Sequence, residues 1–307
     1  MKIQKPFLKW VGGKHRLLPH IINKIPKEFN SYHDIFLGGG SVLLAILTML
    51  DNNKIKINGS INAYDLNIRL INTFKQVQSK PKYLILLVKN LIHEYQKIQI
   101  NTHKQKGAPK VNIDNYTETR EHFYYWIVYK FNTTDFNSTL NAAYFIFLNK
   151  IGFRGMFREN KDGEFNIPFG LKDRKTLNFP KIIVEENIMN VCKLIKNVHF
   201  HHLDFEYSIK KIKNNDFVYL DPPYFPENKK SFVGYNACGF QLDTHIKLFT
   251  LINKFNNQNI KFVMSNSNVD IVNNTFLDYD KEVITARRAI NSKNPADKTK
   301  EVVIFNT

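Results

Sequence analysis

The sequence predicts an α/β protein whose main domain is interrupted by a mostly helical insertion, and three observations support this prediction. Residues 1–72 alternate short apolar strands with helices. Residues 73–185 instead alternate polar, basic segments with aromatic ones, which is typical of a helical module with basic loops. Residues 186–307 return to the α/β pattern. We therefore expect one domain from 1–72 plus 186–307 and a second from 73–185.

The strands are predicted from short apolar runs that end at glycine, proline or acidic residues. They cover residues 32–37, 61–65, 199–203, 217–220, 261–265 and 302–306. The helices are predicted from longer apolar-periodic segments that come after these strands. They cover residues 41–50, 67–77 and 244–256.

Size and composition limit the class of protein. The chain has 307 residues, of which 43% are hydrophobic, enough for a large domain with an insertion. It contains no apolar run long enough to cross a bilayer and no signal-peptide pattern, so we expect a cytoplasmic location, or the host cytoplasm if the protein is viral. Cys192 and Cys238 lie far apart and form no metal-ligand pattern, which fits a reducing compartment and a protein without metal.

The net charge predicts a polyanionic partner. Lysine and arginine number 44 against 27 acidic residues, giving a formal charge of +17. Part of the lysine content fits the bias of AT-rich coding, because Asn and Ile are also abundant, but that bias does not explain the scarcity of acids. Nucleic acid is the expected partner, ahead of a membrane surface, since no basic amphipathic helix stands out.

Asp221-Pro222-Pro223-Tyr224 comes directly after the apolar run 217–220 and is the most informative segment. Two prolines cannot continue a central strand, so the strand ends by presenting a carboxylate, a free carbonyl and an aromatic ring. The N6 lone pair of adenine is delocalised, and two acceptors of its hydrogens would direct that lone pair towards a methyl donor. The ring could stack on an extruded base. The alternative is a surface Asx-Pro turn.

A glycine turn, Gly38 to Gly40, lies between a strand and a helix and allows close approach of a ligand. Asp65 ends the next strand, where doubly wound sheets commonly bind ribose hydroxyls. The G-x-G-x-x-G pattern is absent, which disfavours NAD. Asp204 and Phe205 supply an acid and a ring suited to an adenine.

The N-terminal segment contains Trp10, Gly12, Gly13 and Lys14 but fails the spacing of a phosphate-binding loop. A tryptophan and a lysine on a glycine turn can hold an amino acid carboxylate. In the alternative interpretation, Trp10 is a core aromatic residue and Lys14 a solvated charge.

Nine motifs occur in order along the chain: LKWVGGK (8–14), DIFLGGGS (34–41), AYDLN (63–67), LNKIGFRGMFR (148–158), GEFNIPFG (163–170), HLDF (202–205), YLDPPY (219–224), FVMSNS (262–267) and ARRAINS (286–292). Together they resemble the Dam-type group, D12 class, of DNA adenine-N6 methyltransferases. The resemblance implies a Rossmann-like methyltransferase domain and an inserted target-recognition domain. It also implies S-adenosyl-L-methionine bound by Trp10, Lys14, Asp34, Phe36, Gly38, Gly40, Asp65, Asp204, Phe205 and Asp221. Asp221, Pro222 and Tyr224 would be catalytic.

The same resemblance places Lys9 and Arg158 where the family contacts DNA bases. The family usually has Glu-Pro-Phe where this chain has Asp34-Ile35-Phe36. Phe153-Arg154-Gly155 replaces the Tyr-Asn-Gly of GATC-specific members, so GATC specificity does not carry over. Arg154 introduces a new bidentate donor that prefers guanine.

The predicted function is methylation of adenine N6 in double-stranded DNA. Two alternatives remain at this point: an RNA or protein-glutamine methyltransferase, and a catalytically silent DNA-binding protein on the same fold. A cognate restriction endonuclease is a candidate partner. Residues 229–235 mix charge, a glycine and aromatics, and predict either a flap over the site or a plain surface loop.

Overall fold

The computed structural model describes residues 1–14, 16–98, 108–170, 185–226, 240–287 and 298–307. The predicted flap at 229–235 and Cys238 lie outside these ranges. The strands are β1 Glu28–Phe29, β2 Tyr32–Asp34, β3 Lys56–Ile57, β4 Ile61–Asp65, β5 Val198–His202, β6 Phe217–Leu220, β7 Lys261–Ser267, β8 Asp280–Arg287 and β9 Lys298–Phe305. The helices are α1 Leu18–Ile22, α2 Ser41–Asp51, α3 Ile68–Ser79, α4 Pro81–Lys97, α5 Arg120–Thr133, α6 Thr139–Ile151, α7 Glu185–Leu194, α8 Phe205–Ile209, α9 Leu242–Ile252 and α10 Asp270–Thr275.

The main sheet is mostly parallel, which confirms the predicted α/β fold. Across the described residues its strand order is β5-β4-β2-β6-β7-β9-β8. The strands from β5 to β7 are parallel, and β9 pairs antiparallel with both β7 and β8. The chain passes from β2 to β4 and β5 on one side, then to β6 and β7 on the other. The strand order therefore reverses beside β2, where open α/β sheets bind ligands.

The register brings acidic residues to one edge of this sheet. Asp34 of β2 pairs with Ala63 of β4 and with Tyr219 of β6. Asp65 ends β4, and Asp221 comes directly after β6. Because these strands are parallel, their carboxyl ends meet at the same edge, where the sequence analysis placed the reaction.

The described chain divides into two compact units, and the first contains this sheet. Residues 1–4, 12–66 and 197–307 form the first unit. Its core is built from strand residues and from the helix behind them: Val218, Leu220, Phe262, Met264, Val302, Ile304, Leu248, Phe249 and Ile252. The strands that form the carboxyl edge are therefore packed into a continuous apolar core.

The second unit comprises residues 5–11 and 67–196 and contains helices α3 to α7. Helix α6 is buried along almost its whole length and packs against α3, α4 and α5. Tyr95, Phe123 and Phe147 pack with their ring centroids 5.5–6.0 Å apart. The helical character predicted for the central region is thus present in its described residues.

The unit boundaries lie at 4/5, 11/12, 66/67 and 196/197, whereas the predicted domain boundaries were 72/73 and 185/186. The first predicted boundary falls inside α3, which packs against α6 and α7 and so belongs wholly to the second unit. The functional roles of the two domains stay a prediction.

Several strand ends differ from their predicted positions. Strand β2 ends at Asp34, three residues early, because the chain then enters the glycine turn. Strand β7 continues past its predicted end at residue 265 through Asn266 and Ser267, which are both buried. Strand β8 was not predicted. Among the described residues, we find no helix with the length and apolarity that a membrane span requires.

Candidate active site

Asp221 and Lys14 form the charged centre of the candidate site. Asp221 leaves β6 at the carboxyl edge, and Lys14 Nζ lies 2.6 Å from Asp221 Oδ2. The same ammonium group donates to the Gly12 carbonyl oxygen at 2.5 Å. The second carboxylate oxygen, Asp221 Oδ1, is buried and accepts no hydrogen bond from the residues that the structure describes. Asp221 therefore has one oxygen held by Lys14 and one oxygen open to a donor.

The surroundings of Asp221 shift the pKa of its carboxyl group. Burial raises the pKa of its carboxyl group to about 6, Lys14 opposes this rise, and the charge of Glu301 adds to it. A carboxyl group with this pKa is mostly ionised at neutral pH, yet it protonates in mildly acidic solution. It can therefore accept a hydrogen bond from an amine at neutral pH.

Tyr224 contacts Lys14 through its ring and Glu301 through its hydroxyl group. Lys14 Nζ lies 4.9 Å from the centroid of the Tyr224 ring. The Tyr224 hydroxyl donates to Glu301 Oε2 at 2.7 Å. Burial and the nearby carboxylates raise the pKa of this hydroxyl well above its ordinary value, so it stays protonated. The Pro222 carbonyl accepts no hydrogen bond within the described part of the chain. The aromatic ring and the carbonyl thus lie beside Asp221, as the sequence analysis expected.

The glycine turn is held by Asp65. Gly38 and Gly40 have φ angles of 48° and 72°, a left-handed conformation that favours glycine. The Gly38 N–H donates to Asp65 Oδ2 at 3.0 Å. Gly40 caps α2 without a side chain, so backbone N–H groups are presented at this helix end. Asp65 thereby supports the turn in addition to any ligand that it binds.

An aromatic cluster lies beside the turn. The Phe36 and Phe205 rings stack with centroids 6.0 Å apart, and Phe240 meets both rings at 5.8–6.3 Å. Asp204, just before Phe205, caps α8 by accepting from the Glu206 N–H at 2.8 Å. Phe36, Asp204 and Phe205 were predicted to contact the cofactor, and that role stays a prediction. Phe240 was not predicted, because no local motif marks that residue.

His245 also belongs to this cluster and was not predicted from the sequence. It is buried, and its ring centroid lies 4.6 Å from that of Phe240 and 5.0 Å from that of Phe225. Burial lowers the pKa of His245 to about 4, so its ring is neutral at physiological pH. The cluster therefore provides an uncharged aromatic surface, which suits a planar heterocycle.

Asp34 is the most enclosed acid at this edge. It is 1% exposed, and Tyr32 donates its hydroxyl to Asp34 Oδ2 at 3.3 Å. Burial, together with repulsion from Asp221, raises the pKa of Asp34 to about 8. Its carboxyl group is therefore protonated at neutral pH. Its predicted contact with the cofactor stays a prediction.

This shift predicts a pH dependence of stability. The folded-state pKa of Asp34, about 8, exceeds its ordinary value of 3.8, so the folded protein binds this proton more tightly than the unfolded chain. The contribution is complete below about pH 4 and is lost as pH rises towards 8. We expect Asp34→Asn to flatten the dependence of unfolding free energy on pH between 4 and 8, measured by urea titration. Asp51→Asn, at an exposed position, is the control; equal slopes for wild type and Asp34→Asn would contradict the assignment.

In the second unit, Asn149 joins Lys9, a predicted DNA contact, to Gly155, which follows Arg154 in the chain. Its side chain accepts from the Lys9 N–H at 2.9 Å and donates to the Lys9 carbonyl oxygen at 2.7 Å and to the Gly155 carbonyl oxygen at 3.1 Å. Gly155 has a φ of 66°, and a Cβ there would lie 2.8 Å from Lys9 Cβ. Lys9 therefore lies against the backbone of Gly155, and both Lys9 and Arg154 are exposed.

Arg158 and Trp10 also belong to the second unit. Exposed Arg158 donates through Nε to Asn166 Oδ1 at 2.8 Å, which orients its guanidinium group. Trp10 stacks with Phe145 and Phe157 at centroid distances of 6.4–6.5 Å. Its predicted contact with the cofactor stays a prediction. Asn149 and Asn166 lie inside motifs that the sequence analysis quoted, but their roles depend on contacts distant in the chain.

Comparison with known proteins agrees with this geometry. The profile of the family described as D12 class N6 adenine-specific DNA methyltransferase matches residues 10–290. The chain is 35% identical to the type II methyltransferase M.MjaIII of Methanocaldococcus jannaschii, over 98% of this chain and 99% of the relative. It is 28% identical to a DNA adenine methylase of Vibrio cholerae, over 98% and 94%. It is 27% identical to the type II methyltransferase M1.LlaDCHI of Lactococcus lactis subsp. cremoris, over 98% and 95%.

A mostly parallel sheet with a carboxylate, two prolines and a tyrosine at its carboxyl edge defines an amino-methylating α/β enzyme. The chain belongs to the D12 class of N6 adenine-specific DNA methyltransferases. The resemblance stated from the motifs is thus confirmed, and so is the predicted site-specific methylation of adenine in DNA. Among the described residues, no group of His, Cys, Asp or Glu is arranged to hold a metal ion.

Proposed function

We propose that this chain transfers the methyl group of S-adenosyl-L-methionine to N6 of an adenine flipped out of duplex DNA, with Asp221, Pro222 and Tyr224 as the catalytic residues. The observation that supports this most is the Asp221 carboxylate, which has one buried oxygen, Oδ1, without a partner among the described residues. That oxygen lies at the strand-order reversal and beside an aromatic ring.

In this proposal, Asp221 Oδ1 and the Pro222 carbonyl oxygen each accept one N6 hydrogen. This draws the N6 lone pair out of the adenine ring and towards the methyl group, while Tyr224 stacks on the base. The cofactor, when bound, supplies an electrophilic methyl group on sulfur. The N6–carbon bond would form as the sulfur–carbon bond breaks, which would leave the demethylated cofactor as a neutral thioether, and the proton released from N6 would pass to water. Lys14 keeps Asp221 ionised by holding its other oxygen.

The residues of the first unit fit this cofactor. Asp65 is an acid at the end of β4, where ribose hydroxyls are commonly bound, and the Gly38 turn leaves room for close approach. Phe36, Phe205 and Phe240 offer an uncharged aromatic surface for an adenine, with Asp204 beside them. We assign the amino acid part of the cofactor to Lys14 and, from the family motif, to Trp10.

We assign sequence recognition to the second unit. Lys9, Arg154 and Arg158 are exposed there, and the net charge of +17 favours DNA as the partner. Two of the relatives are named type II methyltransferases, so a cognate restriction endonuclease remains a candidate partner of this enzyme.

The test is incubation of the protein with tritiated S-adenosyl-L-methionine and, in separate reactions, duplex DNA, RNA and a glutamine-containing peptide. We expect label only in duplex DNA, and digestion to nucleosides should place it in N6-methyladenine. Label in RNA or peptide alone would support the alternative substrates. DNA binding without label in any reaction would indicate a catalytically silent protein.

Arg158 offers a test of recognition. Base contacts carry sequence information, whereas phosphate contacts only position the duplex. If the guanidinium group oriented by Asn166 reads a guanine, Arg158→Ala should cost about 1–3 kcal/mol of discrimination at one base pair. We expect mapping of methylated sites to show relaxed specificity at that position, with total DNA affinity falling much less. Lys161→Ala, at an exposed position nearby, should weaken all sequences alike; an unchanged site for Arg158→Ala would refute the assignment.

A further inference from the structure

Glu301 stands near the proposed active site although no motif in the sequence analysis included it. It lies on β9, where it pairs with Ser267 of β7 and Ile284 of β8. Its carboxylate oxygen Oε2 accepts a hydrogen bond from the Tyr224 hydroxyl at 2.7 Å. A hydrogen bond from a hydroxyl to an ionised carboxylate is stronger than one between neutral groups. The hydroxyl group of Tyr224 thus anchors the ring to strand β9.

The chain just after Tyr224 is tied to the same sheet. The Phe225 N–H donates to Asn266 Oδ1 at 2.9 Å, and Ser267 Oγ donates to the Phe225 carbonyl oxygen at 2.5 Å. Asn266 and Ser267 are 0% and 4% exposed, at the end of β7. Buried polar side chains are costly unless they make hydrogen bonds, and here those bonds go to the catalytic segment.

We propose that Glu301 is a positioning residue that, with Asn266 and Ser267, holds the Tyr224 ring in the orientation that stacks on the target adenine. This inference rests on the proposed function. With its hydroxyl bonded and the adjoining backbone clamped, the ring cannot turn freely about its side-chain bonds. Fixed orientation of a group that contacts the substrate lowers the entropic part of the barrier. The tyrosine hydroxyl therefore serves as an anchor and takes no part in the chemistry.

The experiment compares Tyr224→Phe, Glu301→Ala, Glu301→Gln and the double variant Tyr224→Phe/Glu301→Ala with the wild type. Glu282→Ala is the matched control, because Glu282 lies on the neighbouring strand β8 and pairs instead with His20 and Lys24. Three quantities are measured for each: the single-turnover rate of methyl transfer, the affinity for S-adenosyl-L-methionine, and the fluorescence of 2-aminopurine placed at the mapped target adenine.

We expect Tyr224→Phe and Glu301→Ala each to slow methyl transfer about 10- to 100-fold, the range expected for loss of a hydrogen bond to a charged group. Cofactor affinity should stay within about threefold, and the 2-aminopurine signal should change because the flipped base lacks a fixed stacking partner. Glu301→Gln should retain most of the rate, since its amide oxygen still accepts the bond. The double variant should be no slower than the slower single variant, because both remove the same interaction.

A wild-type rate for Glu301→Ala, or multiplied effects in the double variant, would overturn the positioning role while leaving the proposed function intact. Equal losses of cofactor affinity and rate would show that Glu301 only supports the fold, and would also overturn the role. A wild-type protein that labels no adenine would overturn both proposals.

Discussion

Asp221→Asn is expected to reduce the rate of methyl transfer by about 10²- to 10⁴-fold, the range of a group that acts on the reacting amine in the transition state. The substitution keeps the shape of the side chain but removes its negative charge. That charge pairs with Lys14 and, in the proposed mechanism, attracts a hydrogen of the target amine. Affinity for cofactor and DNA should stay within about tenfold, since the lost interaction strengthens mainly in the transition state. Single-turnover kinetics with tritiated cofactor and equilibrium binding measure the two effects separately.

The exposed residue Asp278, changed to asparagine, is the matched control and should behave as wild type.

A second measurement on the wild type checks the same assignment. Because the pKa of Asp221 is raised to about 6, the ionised form is lost below that pH, and the rate should fall about tenfold per pH unit there. Normal turnover by Asp221→Asn would remove this carboxylate from the mechanism.

Asp65→Ala should weaken binding of S-adenosyl-L-methionine about 10- to 100-fold while the rate at saturating cofactor changes little. Two losses combine in this variant: the proposed ribose contact and the acceptor of the Gly38 N–H, 3.0 Å away. A hydrogen bond to a charged group contributes about 1.5–3 kcal/mol. Ground and transition states share these contacts, so the effect should fall on affinity. Isothermal titration and the apparent KM for cofactor measure it.

Asp65→Asn separates the two contributions, because its amide oxygen can still accept from Gly38 while the charge is lost. We expect its affinity to lie between those of the wild type and Asp65→Ala. Asp51→Ala, at the opposite end of α2, is the control for a lost surface acid. Unchanged cofactor affinity in Asp65→Ala would refute the ribose assignment.

Local chemistry made part of the site predictable. A strand stopped by two prolines must expose the residues at its carboxyl end, so Asp221 and Tyr224 could be placed at a strand end from their neighbours alone. Gly38 and Asp65 were found for a similar reason, since glycine turns and acids at strand ends have local signatures. The strand at 61–65 and the strand at 217–220 were also predicted at their observed bounds.

Residues whose roles depend on contacts between distant segments of the chain were not predicted. Phe240 and His245 join the aromatic cluster through ring contacts with Phe36, Phe205 and Phe225, which are distant in the chain. Asn149 likewise bonds Lys9, 140 residues away in the chain. Asn266 and Ser267 lie beyond the predicted end of their strand, and their hydrogen bonds go to Phe225, a residue distant in the chain.

Sequence patterns were sufficient to predict the α/β class and the family, because these depend on periodicity, backbone limits and ordered motifs. Three features of the site required the folded chain: Lys14 holds one oxygen of Asp221, burial moves the pKa of Asp221 to about 6, and Glu301 anchors Tyr224. Each of these depends on distance and solvent exclusion between segments far apart in the chain, and no local pattern encodes such quantities.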